Sequence, residues 1–334
     1  MAKIKPSQGS PYARIMGVGG YRPVRVVPNE VILETIDSSD EWIRSRSGIA
    51  TRHWASDEET VAAMSIEASG KAIADAGISP GQIGAVVVST VSHFKQTPAI
   101  ATEIAHKVGA GKAAAFDISA GCAGFGYGLT LARGMVVDGS AEYVLVIGVE
   151  RLSDLTDLED RATAFLFGDG AGAVVVGPSR EPHIGPTVWG SEGDKAETIK
   201  QTTSWSEYRG GNGPAKFPAI TQEGQAVFRW AVFEMAKVAQ QALDAAGISA
   251  DDLDVFIPHQ ANMRIIDSMV KTLKLPEHVT VARDVETTGN TSAASIPLAM
   301  ERLLATGQAK SGDTALVIGF GAGLVYAATV VTLP

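Results

Sequence analysis

The stretch KAIADAGIS at residues 71–79 returns 170 residues later as QALDAAGIS at 241–249, with five of nine positions identical. Each copy is an Ala-rich segment closed by a glycine, Gly77 or Gly247, the residue that most readily ends a helix in the left-handed region. After each comes a short polar turn and an apolar run, Ala85–Val88 in the first copy and Val255–Ile257 in the second. Each unit therefore reads as helix, glycine stop, turn and buried strand. The likeness continues downstream: LVIG occurs at 145–148 and at 316–319, and each is followed by an FGxG sequence, at 167–170 and 320–323. Between these anchors each half has an Asp, a Gly and an Ala-rich amphipathic segment: Asp117, Gly121 and 122–137, then Asp284, Gly289 and 290–305. Matches in the same order mark an internal duplication. The expected fold is α/β, two similar halves over residues 1–185 and 222–334, each around a buried mixed sheet. Residues 186–221, polar and Gly-rich (WGSEGDK from 189, YRGGNGP from 208), are expected to connect them.

Composition narrows the function classes. A chain of 334 residues with 45% hydrophobic and 19% charged side chains can bury roughly three quarters of its surface, which excludes a disordered scaffold. The net charge of −9, from 28 basic and 37 acidic residues, argues against non-specific binding to nucleic acid or anionic membrane. With one cysteine, Cys122, the chain forms no internal disulfide and no multi-thiolate metal site, and a reducing cytoplasm is the expected setting. Residues 1–20 lack the apolar core of a signal peptide. Residues 314–333 are uncharged and long enough for a membrane span, yet Gly319, Gly321 and Gly323 divide them into two β-rich flanks, predicting two buried strands. The glycine strings at 17–20 and 168–172 lack the order of a dinucleotide loop and are expected to be tight turns. Asp154, Asp157, Glu159 and Asp160 read as a solvated loop, and His53, His93, His106, His183 and His278 have no metal-ligand spacing.

Superposing the halves gives three residues chemical promise. Cys122 and Asn290 each follow a glycine at the start of the corresponding helix, and His259 closes the strand equivalent to the one ending at Ser89. A cysteine at a helix N-terminus meets unpaired N–H groups and a favourable dipole, which would stabilise a thiolate nucleophile. Asn290 alone would read as a helix cap and His259 as a strand-end histidine. Pseudo-twofold symmetry would bring all three to the junction of the halves, where α/β proteins place their sites.

The longer motifs around these residues are Ser39-Asp40-Glu41-Trp42-Ile43, Gly48-Ile49, Ala120-Gly121-Cys122-Ala123-Gly124-Phe125, Pro258-His259-Gln260-Ala261-Asn262 and Gly289-Asn290-Thr291-Ser292-Ala293-Ala294-Ser295-Ile296-Pro297. With them, nearly the whole chain resembles the thiolase-fold condensing enzymes, and among these the β-ketoacyl-[acyl-carrier-protein] synthase III family, which initiates bacterial type II fatty acid synthesis. The resemblance implies a thiolase-like fold of duplicated halves with mixed five-stranded sheets in α/β/α/β/α layers. It also implies Cys122, His259 and Asn290 as the catalytic residues. Thiolases have a second Cys in the third position and elongating synthases a second His. Asn290 selects synthase III or the plant-type polyketide synthases, and Phe320-Gly321-Ala322-Gly323 lacks the proline usual in the latter.

The reaction so implied is a decarboxylative Claisen condensation. An acyl-CoA primer acylates Cys122, with the oxyanion held by N–H groups of Cys122 and the Gly321, Ala322, Gly323 loop. Malonyl-[acyl-carrier protein] then loses CO₂ as His259 and Asn290 hold the enolate. No metal or redox cofactor is required. By resemblance, Trp42 and Arg161 stack on the CoA adenine, Arg46 lies near the phosphates, and Gly224 and Asn262 line the pantetheine. The acidic carrier protein would dock on Gln260, Ala261, Asn262, Met263, Arg264, Lys271 and Arg229. Thr97 would bound the acyl pocket, its small size favouring branched primers. A homodimer is implied. Two rivals remain: a homologue priming a polyketide, and a papain-like hydrolase with the same Cys, His, Asn order but without that family's sequence around its nucleophile.

Overall fold

The computed structural model describes residues 3–211 and 216–334; positions 212–215 of the expected connection lie outside the described residues. The strands in chain order are β1 (Tyr12–Tyr21), β2 (Arg25–Pro28), β3 (Thr51–Trp54), β4 (Ile83–Ser89), β5 (Ala114–Ile118), β6 (Tyr143–Arg151), β7 (Asp169–Ser179) and β8 (Val188–Ser191). They continue with β9 (Ile199–Gln201), β10 (Ile220–Gln222), β11 (Val255–Pro258), β12 (Thr280–Val281), β13 (Thr314–Gly321) and β14 (Val325–Thr332). The helices are α1 (Asn29–Ile32), α2 (Asp40–Ser47), α3 (Val61–Asp75), α4 (Ile100–Lys107), α5 (Gly124–Asp138) and α6 (Trp205–Gly210). The second half holds α7 (Gly224–Ala246), α8 (Met263–Leu273), α9 (Val285–Thr288) and α10 (Ser295–Ala305).

Two five-stranded sheets carry the duplication. Their orders, β1-β7-β6-β4-β5 and β8-β14-β13-β11-β12, superpose strand for strand, and both mix parallel central pairs with antiparallel ones. Helices α5 and α10 are sandwiched between the sheets, α3 and α4 cover the outer face of the first, and α7 and α8 cover the second. Three layered apolar cores follow, the middle one drawing Val87, Phe125, Leu129, Val146, Ile257 and Ile296 from both halves. This is the expected five-layer arrangement. The uncharged run 314–333 forms β13 and β14, as its glycines indicated.

Two expectations change. Val188–Ser191, placed in the connecting segment, is the outer strand of the second sheet, paired with β14. The glycines at 17–20 and 168–172 are mostly strand, in β1 and β7, and not tight turns. Helices ride so close on these strands that a Cβ on Gly19 would stand 2.2 Å from Ala68 O, and one on Gly172 2.7 Å from Pro297 Cβ.

The halves also exchange a contact. Cys122 lies in a 3-10 turn, Gly121–Ala123, just before α5, and its counterpart Ser292–Ala294 precedes α10, so the residue equivalent to Cys122 is Ala293 and not, as expected, Asn290. The first turn packs on Gly319 of the second sheet, where a Cβ would be 2.9 Å from Cys122 O. The second packs on Gly148 of the first sheet, where a Cβ would be 2.1 Å from Ala293 O. Gly148 and Gly319 are the final residues of the two LVIG strings.

Candidate active site

Cys122, His259 and Asn290 come together on the wall of one cavity of about 200 Å³ between the halves. The remaining wall is mostly apolar and includes Leu152, Leu155, Phe167, Ile220 and Trp230.

His259 follows the short buried strand β11, and its backbone N–H donates to Ile318 O at 2.7 Å. Its Nδ1 lies 2.8 Å from Ser295 Oγ, and that oxygen also accepts from the Gln260 N–H at 3.3 Å. With the Ser295 hydroxyl donating to Nδ1, the ring is the Nε2–H tautomer and that N–H is free to donate. Burial lowers the His259 pKa to about 3, so the ring is neutral throughout the working range. Phe320 sets its ring edge-on at 5.4 Å.

Asn290 sits on a crossing of the halves. Its N–H donates to Leu166 O at 2.8 Å, and its own carbonyl accepts from the Gly168 N–H at 3.0 Å. Its Oδ1 takes the Ser292 N–H at 2.8 Å, an Asx turn to the residue two places on and not the expected helix cap, since Thr291 and Ala294 hold the cap positions of the turn and of α10. With Oδ1 so occupied, the amide NH₂ is left to serve as a donor in the cavity.

Cys122 departs from expectation. Its accessible surface faces the cavity, not bulk solvent, and the surrounding protein pushes the thiol up to about 12. Burial is the main cause, the Ser292 hydroxyl opposes it, and the charge of Glu150 adds to it. The helix terminus is outweighed, so the resting group is a thiol. Gly321 lies against the nucleophile, where a Cβ would be 2.9 Å from Cys122 N and 3.0 Å from Sγ. Gly321 and Ala322 thus share one wall with the sulfur, while Gly323, expected there too, is not among the lining residues. The sequence reading missed Ser292, Ser295 and Glu150. The two serines lie inside the quoted 289–297 motif, and Glu150 is signalled by a carboxylate at the end of the apolar run 144–149.

Away from the cavity, Trp42 has the Arg161 guanidinium 5.1 Å and that of Arg46 5.8 Å from its ring centroid, with Phe165 edge-on at 5.5 Å. Gly224 is exposed at the start of α7, and Asn262 caps α8 by accepting the Ile265 N–H at 2.9 Å. Ala261 lines the cavity, Met263 is half-buried against Gly48, and Arg229, Arg264 and Lys271 are exposed on α7 and α8, with Arg264 5.1 Å from the Phe228 centroid. Gln260 does not belong to such a surface. It is fully buried, its amide bonded to Pro258 O and Ala282 O and its Oε1 to the Val285 N–H, so no partner can reach it. Thr97 is exposed in the loop before α4 and is absent from the cavity wall, which Val91 lines instead. The carboxylates at 154–160 serve their loop through Arg151, Lys216 and Thr163. Among the described residues there is no cluster of metal-ligating side chains and no helix long and apolar enough to cross a membrane.

Residues 116–193 match the family model for 3-oxoacyl-[acyl-carrier-protein] synthase III, and 243–333 match the model of its C-terminal part. The chain is 87% identical to the β-ketoacyl-[acyl-carrier-protein] synthase III of Streptomyces glaucescens over the full length of both, and 54% identical to that of Mycobacterium marinum over 100% of this chain and 99% of that one. Among solved structures, the priming β-ketosynthase of the R1128 polyketide pathway superposes with a TM-score of 0.95 at 46% identity, covering 100% of this chain and 98% of that one. The 3-oxoacyl-[acyl-carrier-protein] synthase III of Aquifex aeolicus superposes at 0.87 with 36% identity, covering 96% and 99%. The duplicated sheets, the residues gathered at their junction and this likeness along the whole chain agree: the protein belongs to the β-ketoacyl-[acyl-carrier-protein] synthase III family.

Proposed function

We propose that the protein joins an acyl-CoA primer to malonyl-[acyl-carrier protein] by decarboxylative condensation, initiating fatty acid synthesis through an acyl-Cys122 intermediate. The observation that carries this reading is a single nucleophile sharing one largely apolar cavity with two neutral hydrogen-bond donors. Cys122 attacks the primer thioester, and the N–H groups of Cys122 and of the Gly321, Ala322, Gly323 turn hold the oxyanion. After CoA leaves, the malonyl thioester enters. Its carbonyl accepts from His259 Nε2–H and the Asn290 amide, and the negative charge that builds on that oxygen as CO₂ departs strengthens both bonds. The carbanion attacks the acyl carbon and expels the thiolate. Neutral donors suit this step, since an imidazolium beside the carbanion would quench it by giving up its proton. The steps are acyl transfer, decarboxylation and proton transfer, with no net change of oxidation state, so the reading includes no metal or redox cofactor.

The apolar walls suit a short acyl chain, acetyl or branched. Trp42 with Arg161 and Arg46 supports adenine stacking beside phosphates, with Gly224 and Asn262 along the pantetheine arm. Ala261, Asn262, Met263, Arg264, Lys271 and Arg229 remain the proposed dock for an acidic carrier protein. A homodimer in the cytoplasm completes the reading. Priming of a polyketide is the second reading, favoured by the likeness to the R1128 priming enzyme. The two share each step at Cys122 and differ in the carrier protein that supplies malonate.

The test is intact-mass measurement after mixing with a panel of acyl-CoAs, then addition of malonyl carrier protein from either pathway. An acyl adduct should form and then vanish as β-ketoacyl carrier protein appears; an absent adduct, or one that malonyl carrier protein does not discharge, sinks the proposal. Trp42→Ala should raise KM for acyl-CoA roughly tenfold with kcat nearly constant, since base–aromatic stacking contributes about 1–3 kcal/mol. An unchanged KM would remove Trp42 from the CoA site.

A further inference from the structure

Arg52 on β3 is fully buried, and among the described residues its guanidinium donates only to neutral oxygens: Val27 O at 3.1 Å, Phe165 O at 3.0 Å and Asn29 Oδ1 at 2.5 Å. Its Nε–H has no partner there. Burial lowers its pKa to about 10, so the group is still charged near neutrality. A buried cation bonded to no anion costs stability, and an apolar side chain of similar size would serve the core at least as well. What such a fork does supply is placement, because its charge-assisted bonds fix direction as well as distance.

What it places lies beside Asn290. Between Leu155 and β7 the chain makes turns, so residues 165–168 have no helix or extended strand of their own to fix them. These residues are nevertheless the backbone seat of Asn290. Leu166 O accepts the Asn290 N–H, the Gly168 N–H donates to the Asn290 carbonyl, and Phe167 pairs with Asn290 as an isolated bridge. Two side chains are recorded as donors to this segment, Arg52 to Phe165 O at 3.0 Å and the Trp54 indole to Phe167 O at 3.4 Å, and the guanidinium bond is the shorter. On the other flank of Asn290, β3 braces α9. The Ala50 N–H donates to Glu286 O at 2.7 Å and Thr51 Oγ1 to Thr287 O at 2.8 Å, and a Cβ on Gly289 would stand 2.9 Å from Arg52 Cβ. The far end of the fork is anchored as well, since Asn29 donates through Nδ2 to Ile49 O at 2.9 Å and to Asp40 Oδ1 at 2.7 Å, at the start of α2.

We propose that Arg52 is the positioning residue of Asn290: its fork fixes the Phe165 carbonyl, that carbonyl fixes the 166–168 backbone, and this seat aims the Asn290 amide into the cavity. The proposal rests on the donor role given to Asn290 above. Arg52 touches neither substrate nor reacting atoms. The turn that Asn290 Oδ1 makes with the Ser292 N–H sets the amide relative to its own backbone, and the seat sets that backbone relative to the two halves. Cys122 and Gly321 receive no bond from Arg52, so loading should not depend on it.

The test uses Arg52→Met and Arg52→Lys in the full chain, each with and without Asn290→Ala. Protein acylated at saturating acyl-CoA is mixed with malonyl carrier protein, and hydrogen–deuterium exchange is followed peptide by peptide. Arg52→Met should load like the wild type and discharge roughly 10- to 100-fold slower, the effect of displacing one group by on the order of 1 Å. Added to Asn290→Ala it should slow discharge by less than about twofold more, because the group it places is already gone. Arg52→Lys should fall between Arg52→Met and the wild type, since an ammonium on a flexible stem cannot hold all three oxygens. Exchange at the Gly168 and Asn290 amides should be roughly tenfold faster in Arg52→Met, while peptides around Cys122 and His259 match the wild type. Discharge at the wild-type rate, an equal loss with and without Asn290, or unchanged exchange at Gly168 and Asn290 overturns the proposal. So do additive losses with faster exchange throughout, the mark of a merely weakened fold. If a thermal melt shows Arg52→Met unfolded, Arg52→Lys decides by the same cycle. If exchange behaves as expected but the wild type takes up no acyl group, the substrate reading fails while the positioning role stands.

Discussion

Cys122→Ala should form no acyl adduct with any acyl-CoA, and its condensation rate should fall on the order of 10⁶-fold, the scale on which removing a sole nucleophile acts. No other cysteine exists to substitute for it. The fold should survive, because Ala removes only a sulfur that faces the cavity, and a thermal melt near the wild type's would confirm this. The informative part is what remains. His259 and Asn290 are positioned by Ser295, Ser292 and backbone bonds that owe nothing to the sulfur. Cys122→Ala should therefore still decarboxylate malonyl carrier protein, releasing CO₂ without making a carbon–carbon bond. Retained condensation would remove Cys122 from the mechanism, and loss of decarboxylation together with condensation would show that the two donors do not work alone.

The complementary pair of substitutions should divide the reaction at its other joint. His259→Ala and Asn290→Ala should each load an acyl group at a rate within about tenfold of the wild type, because neither side chain supplies an oxyanion donor. Each should slow discharge by malonyl carrier protein roughly 10²- to 10³-fold, the cost of losing one preorganised donor to a developing oxyanion. Together they should cost less than the product of the two, since both act on one oxygen. Pre-acylated protein mixed with malonyl carrier protein isolates this step. Equal losses in loading and discharge would show that His259 also serves the thiol.

The duplication could be read in the sequence because its matched positions do matched physical work. Gly77 and Gly247 both stop helices in the left-handed region, and the LVIG strings both end where a turn of the opposite half presses on the strand. Cys122, His259 and Asn290 were legible for a related reason, as polar residues at strand ends and helix starts. Other features left no local trace. Val188–Ser191 is too short and mixed to announce a strand, and it exists because β14 offers it an edge. The glycines at 17–20 and 168–172 looked like turns because the helices that exclude a Cβ there arrive from distant segments. Gln260 reads as a surface residue beside a helix start, yet three backbone groups from β11, the strand-to-α9 segment and α9 itself claim its amide. The thiol was expected to ionise readily because a helix terminus is visible in sequence, while the burial that overrides it is a property of the assembled junction.

That junction has an ancestry written in it. Aligning LVIG with LVIG puts Glu150 opposite Gly321, the repeated KAIADAGIS and QALDAAGIS segments put Ser89 opposite His259, and the paired turns put Ala293 opposite Cys122. The molecule therefore contains a mirror position that has gone chemically silent. One turn kept a nucleophile and the other carries a methyl group, while each still leans on the glycine across the divide. Glu150 stands where the other half has Gly321, the residue that lies against the nucleophile. Neither half is a spare copy of the other, so a lesion confined to either one disables the single cleft that both support.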